Sequence, residues 1–207
     1  QPEPPVVDPP APPVVKQAEP PVVEPVYLRR TATAWINDLR HGNEKARLRA
    51  MVALHHIPCR PEEVIPLVIA IAQEKTDRLR DYHIAITLGA YGPQAAEAVP
   101  VLINILRGDK FGGGLSGHAV EGLGKIGPAA ENAVSEIATL LYKSSRLGGQ
   151  TANALARMGP TGLHELIAHL EEGFGPTPAH QGEYTYIKYT EAMSGGGSVA
   201  AAKLIEW

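Results

Sequence analysis

One recurrence constrains this chain more than anything else in it. Four stretches end alike: Ala53-Leu54-His55-His56-Ile57-Pro58, Thr87-Leu88-Gly89-Ala90-Tyr91-Gly92-Pro93, Gly122-Leu123-Gly124-Lys125-Ile126-Gly127-Pro128 and Ala154-Leu155-Ala156-Arg157-Met158-Gly159-Pro160. Their leucines stand 34, 35 and 32 residues apart. A small residue precedes each leucine (Ala53, Thr87, Gly122, Ala154), and an apolar one follows three places on (Ile57, Tyr91, Ile126, Met158). A period of this length is one supersecondary unit repeated, each copy burying its apolar face only by stacking on the next. The endings have a physical cause. Gly92, Gly127 and Gly159 suit the left-handed residue that closes a helix, and the proline after each cannot extend that helix but can open the next. The first unit lacks the glycine, which predicts an altered turn there with Cys59 in it.

A second helical pattern follows each corner. Val64-Ile65-Pro66-Leu67-Val68-Ile69 aligns with Ala98-Val99-Pro100-Val101-Leu102-Ile103, then with Ala133 to Ala138 and Gly162 to Ile167. Trp35 to Arg40 matches Leu102 to Arg107, so the array opens with a lone second helix, followed by three full pairs and a degenerate fourth. Aromatics are only 5% of the chain against 44% hydrophobic residues, so the core must be aliphatic. Small side chains of that kind let helix axes approach closely. The expected fold class is all-α, an α-α superhelix of antiparallel helix pairs over residues 27–172. Residues 173–207 read as a degenerate capping repeat. Its tyrosines, Tyr184, Tyr186 and Tyr189, lie on an expected helix from Glu183 to Met193, although Tyr184-Thr185-Tyr186-Ile187 also fits a short strand. These rings serve either as an interface or as a cap over the last pair.

Residues 1–26 are a separate, proline-rich segment. EPPVVDPP, APPVVKQA and EPPVVEPV run head to tail, with Pro4-Pro5, Pro12-Pro13 and Pro20-Pro21 in the same place of each unit. Proline fixes φ and bars the preceding residue from the helical region, so the segment is expected to be extended or polyproline-II. It serves either as a spacer or as a ligand strand whose valine pairs fill a partner's groove.

Gly117 to Ile137, GHAVEGLGKIGPAAENAVSEI, resembles the HEAT-repeat family, in the short bacterial form known from phycobilisome lyases. The Leu-Gly-x-Ile-Gly-Pro endings and the Ala-Val-Pro-x-Leu helix start at Ala98 carry the likeness, over about Thr31 to Leu170. The resemblance implies an α-α solenoid used as a binding scaffold. Such repeats carry an arginine seven residues before the leucine. Arg47 fits, but Asp81, Ser116 and Gly148 stand at the later sites, so a charge ladder is not expected to run through the array. Gly112 to Gly114 delay the third unit's first helix to near Leu115.

The chemistry that the residue types could support is thin. Net charge is −3, which argues against nucleic acid as the partner. Arg47, Arg49, Arg78 and Arg80 read as solvated charges at helix starts. His83 and His118 share a column with Arg49 and Gln150, but neighbouring helices in a stack lie too far apart to share a metal there. His55 and His56 are adjacent and point about 100° apart on a helix, so they do not face one ion with Cys59. His164-Glu165 is a single pair and falls short of the ligand set of the HEAT-repeat di-iron hydroxylases. No phosphate loop or nucleophile motif is present, and no apolar run reaches membrane-spanning length.

The expectation is therefore a non-catalytic protein-protein interaction scaffold without cofactor or metal, a structural or assembly subunit joining protein components of a larger complex. Asn37, Asn104 and Thr139 share one place along the second helices and are candidate contacts, as are the tail prolines and the three tyrosines. The alternative is a bilin-lyase-like or chaperone-like protein acting on a chromophore protein. Gln1 at the start fits a removed signal or anchor and an extracytoplasmic or periplasmic location, with the cytoplasm as the alternative.

Overall fold

The computed structural model describes residues 23–74, 78–108, 114–143 and 147–173. These described residues are mostly helical, all-α apart from one small hairpin. The hairpin pairs β1 (Val26–Tyr27) with β2 (Arg30–Thr31). Then come α1 (Ala32–His41), α2 (Glu44–His56), α3 (Pro61–Gln73), α4 (Arg78–Ala90), α5 (Val99–Gly108), α6 (Gly114–Ile126), α7 (Val134–Lys143), α8 (Gly148–Arg157) and α9 (Pro160–Gly173). Side-chain caps start the first two helices. Thr31 accepts from the Ala34 amide at 3.3 Å, and Asn43 from the Ala46 amide at 3.0 Å. Each such cap contributes about 1 kcal/mol.

The first helix of each unit packs on the first helix of the next, in the order α2, α4, α6, α8, while α1, α3, α5, α7 and α9 lie alongside this row. Two contacts fix how α2 and α4 lie. Arg80 on α4 reaches Glu44 on α2 at 2.8 Å, and the buried Thr87 hydroxyl donates to the Met51 carbonyl at 3.1 Å. Both pairs are 36 residues apart, so the two helices run parallel. Leu54, Leu88, Leu123 and Leu155 are all fully buried and belong to one core cluster, joined by Ile65, Leu102, Ile137 and Leu166 from the second helices. Each of these side chains contributes about 1.5–3 kcal/mol through removal from water. The small residues around the leucines let the backbones touch. A Cβ on Gly89 would stand 3.0 Å from the Gly122 Cα, and one on Gly124 would stand 2.7 Å from the Ala154 Cα.

The corners follow the glycine rule, with one substitution. Gly92, Gly127 and Gly159 have φ of 54°, 78° and 87°. After the first two, a 3-10 segment (Gly92–Ala98 and Gly127–Ala133) intervenes before the second helix begins. Ala95 and Ala130 leave the helical region and set the kink. After Gly159 the helix opens at once on Pro160. In the first unit Arg60 takes the glycine's place with φ 47°, and Pro61, not Pro58, opens the second helix. A left-handed non-glycine residue costs about 1–2 kcal/mol. The Arg60 guanidinium offsets this by donating from Nε to Glu63 at 2.8 Å and from an NH2 group to the Thr33 hydroxyl at 2.9 Å. Tyr91 ties the first corner to the second, donating from its hydroxyl to the Cys59 carbonyl at 3.0 Å.

The hairpin is a difference from the sequence reading, which has helix-turn-helix from Tyr27 onward and a segment boundary at 26/27. The boundary falls within β1. Leu28 and Arg29 have φ of 49° and 61°, which makes a two-residue loop of the kind that matches strand twist. Ala32 donates to the Pro25 carbonyl at 2.9 Å, and the Trp35 indole donates to the Tyr27 carbonyl at 3.1 Å. The Arg30 guanidinium lies 4.1 Å above the Trp35 ring and bonds Asp38 at 2.6 Å. Glu24 accepts from Thr33 and faces Arg60 at 4.0 Å. Val23 to Thr31 thus cover the leading end of the array. α6 begins at Gly114, one residue before the expected start.

Candidate partner-binding face

Two features sit on the first-helix row. The first is an open groove of about 400 Å³ at the corners of the second, third and fourth units. Gly89, Gly92, Gly124 and Gly127 line it, with Lys125 and Arg157 among its side chains. Its regularity comes from the repeat. A Cβ on Gly92 would meet the Lys125 carbonyl at 3.5 Å, and one on Gly127 the Arg157 carbonyl at 3.4 Å, so each corner rests on the next helix's last turn. Lys125 and Arg157 stand two places after their leucines and are both exposed. Cations there complement the negative ends of α6 and α8. Lys125 pairs with Glu121 at 2.8 Å, and that hydrogen bond holds the Glu121 carboxyl below its ordinary range.

The second feature is two separate groups of rings. Tyr27 stacks on His56 at 4.9 Å and 18°, and His56 meets His55 edge-on at 5.0 Å. His55 reaches across to α4, with Nδ1 3.1 Å from the Ile86 carbonyl. A carbonyl only accepts, so this nitrogen carries the proton. On α4, Tyr82 meets His83 at 5.2 Å and His118 of α6 at 4.7 Å, both edge-on. Leu79 beside it is 58% exposed and Tyr82 37%. His83 is half-buried, its Nδ1 is enclosed without a hydrogen-bond partner, and burial pushes its pKa down. These four ring pairs are all those found among the described residues.

The residues singled out in the sequence fall elsewhere. Asn37, Asn104 and Thr139 are exposed on α1, α5 and α7, and Thr139 donates to the Glu136 carbonyl at 2.8 Å. Pro4, Pro5, Pro12, Pro13, Pro20 and Pro21, and Tyr184, Tyr186 and Tyr189, lie outside the described residues. Two of the arginines read as solvated charges are instead tied down. Arg47 pairs with Glu74 at 2.9 Å, and Arg80, 15% exposed, holds Glu44 and Glu74, because α2 and α4 start side by side. Among the described residues no group of three His, Cys, Asp or Glu could hold a metal. Burial pushes the Cys59 thiol up against the weaker pull of Arg60, so it is not a thiolate at neutral pH. No helix among the described residues is long and apolar enough to cross a membrane.

Sequence reasoning missed Tyr27, Tyr82, Lys125 and Arg157. The two cations carried a usable signal, since they occupy one column of the repeat. The tyrosines carried none, because their ring partners come from other helices. No family model, curated protein or solved structure matches the chain.

Proposed function

We propose that this chain is a HEAT-type α-α solenoid acting as a non-catalytic protein-protein interaction scaffold, a structural or assembly subunit that joins components of a larger complex. The observation that carries the reading is the groove over the corners. Direct contact between successive first helices makes their surface continuous, and Lys125 and Arg157 repeat at one place on neighbouring helices. Adjacent packed helices stand 8–10 Å apart, so the face suits an extended acidic segment of a partner protein whose carboxylates recur at about that interval. Asn37, Asn104 and Thr139 on the second helices form a separate polar row, proposed as a secondary contact.

The test is Lys125→Glu with Arg157→Glu in the full chain, purified from the cells that make it. The reading expects stoichiometric protein partners to be lost while the circular dichroism is unchanged. Partners retained in full at the same salt contradict it.

A further inference from the structure

α1 carries no acidic residue in its first turn, although a helix N-terminus favours a negative charge there. The charge comes from upstream. Glu24 accepts from both the amide and the hydroxyl of Thr33, nine residues on. These bonds hold its carboxyl below the ordinary range. Four further contacts close the same segment over the leading end. The Ala32 amide donates to the Pro25 carbonyl, the Trp35 indole donates to the Tyr27 carbonyl, Tyr27 stacks on His56, and Arg30 lies over the Trp35 ring. Beneath them Trp35 is buried.

What this segment lacks is apolar burial. Val23, Val26 and Leu28 are 88%, 57% and 71% exposed. Segments held by few buried apolar contacts open locally, at a lower free energy than the whole fold. Closure also keeps Leu28 and Arg29 in left-handed backbone, a strain that opening releases. The stack beneath has its own supports. Ile36 and Leu39 of α1 belong to the core cluster, and Thr31 caps α1 at the Ala34 amide without help from Glu24.

We propose that Val23 to Thr31 form a clasp, latched by the Glu24 carboxylate, that opens as a unit while the helix stack stays folded and so uncovers Trp35 at the leading end. The groups facing the latch are Thr31 and Thr33 at the start of α1, and Arg60 and Cys59 at the first corner, with Glu63 of α3 behind Arg60. Glu24 takes up a proton less readily in the closed clasp than in the open one. The latch is therefore complete above the unfolded carboxyl value of about 4.3 and weakens as pH falls below it. The clasp shares no residue with the corner groove, so the two readings fail separately.

The experiment is hydrogen exchange of the full chain read by nuclear magnetic resonance, as protection relative to the intrinsic rate. The Ala32 amide and the Trp35 indole report the clasp, since both donate to its carbonyls. The Leu123 amide reports the stack. The proposal expects the first two to share one protection, lower than that of Leu123 and with a shallower urea dependence, because less surface is exposed. Glu24→Ala is expected to lower both clasp protections together by at least about 2-fold, the lower end for one hydrogen bond. Ile137→Val trims the core away from the clasp. It is expected to lower Leu123 protection about 2- to 13-fold and to leave Ala32 and Trp35 as they were. Between pH 6 and 3.5 the clasp protections are expected to fall in the native chain more steeply than in Glu24→Ala. Any one of three results overturns the proposal: Ala32 and Trp35 protected as well as Leu123 with the same urea dependence, Ile137→Val lowering all three alike, or Glu24→Ala changing neither the clasp protections nor their pH dependence.

Discussion

Gly124→Ala tests the packing of the row directly. In a helix, alanine is favoured over glycine by up to about 1 kcal/mol. At Gly124 that gain meets an obstacle, because the new Cβ would lie 2.7 Å from the Ala154 Cα and 2.8 Å from its Cβ. Neither atom is the end of a flexible side chain, so α6 and α8 must separate by several tenths of an ångström. Overpacking of this kind costs about 1–3 kcal/mol. Gly114 provides the control, since nothing lies within 4 Å of its would-be Cβ on the same helix. Gly124→Ala is therefore expected to be about 1–3 kcal/mol less stable than Gly114→Ala, a melting difference of about 2–12 °C for a domain of this size. Urea unfolding followed by circular dichroism reads the difference. Ala154→Gly in the same molecule removes one of the two clashing atoms and is expected to recover at least about 0.5 kcal/mol beyond additivity. If Gly124→Ala proves as stable as Gly114→Ala, α6 and α8 are not in backbone contact and the reasoning fails.

Four more expectations follow from single residues. Leu88→Ala, at a fully buried position of the seam, is expected to lower the unfolding free energy by about 2–5 kcal/mol, and a loss under 1 kcal/mol would remove Leu88 from the core. At the first corner, Arg60→Gly is expected to be about 1–2 kcal/mol more stable than Arg60→Ala, because both lose the guanidinium contacts but only glycine accepts φ 47° without strain. Equal stabilities would contradict the left-handed corner. Tyr91→Phe removes the bond to the Cys59 carbonyl and is expected to cost about 0.5–1.5 kcal/mol in the same unfolding assay; no loss would mean the bond is absent. His83 has a folded-state pKa below its unfolded value because of burial. The folded form thus binds fewer protons, and the stability that His83 permits is complete above an unfolded pKa of about 6.5 and declines as pH falls below it. Unfolding curves between neutral and mildly acid pH check this, and His83→Gln should flatten the decline; an identical slope in the variant assigns the pH dependence elsewhere.

Much of the architecture was legible because the repeat writes it several times. The leucines, the small residues beside them and the Gly-Pro corners each recur in phase, so one physical explanation had to serve every unit. What could not be read was whatever occurs once. Leu28-Arg29 turns a hairpin with two left-handed residues that carry no glycine or asparagine, leaving no turn signal. Arg60 replaces a corner glycine through contacts with Thr33 and Glu63, one of them 27 residues away. The 3-10 segments after Gly92 and Gly127 depend on how the corners stack, a tertiary effect beyond local propensity. The face itself was half legible. Exposure of Asn37, Asn104 and Thr139 followed from helical periodicity, but the tight approach of the first helices depends on which glycines meet, as Gly89 does Gly122.

Everything functional here depends on the first helices being stacked backbone to backbone. Nuclear Overhauser contacts between the α-protons of Gly89 and Gly122, and between those of Gly124 and Ala154, measure that stacking. The account predicts strong cross-peaks for both pairs. Their absence, with cross-peaks instead joining α3 to α5 and α5 to α7 at equivalent places, would show that the second helices form the close-packed row and would contradict it.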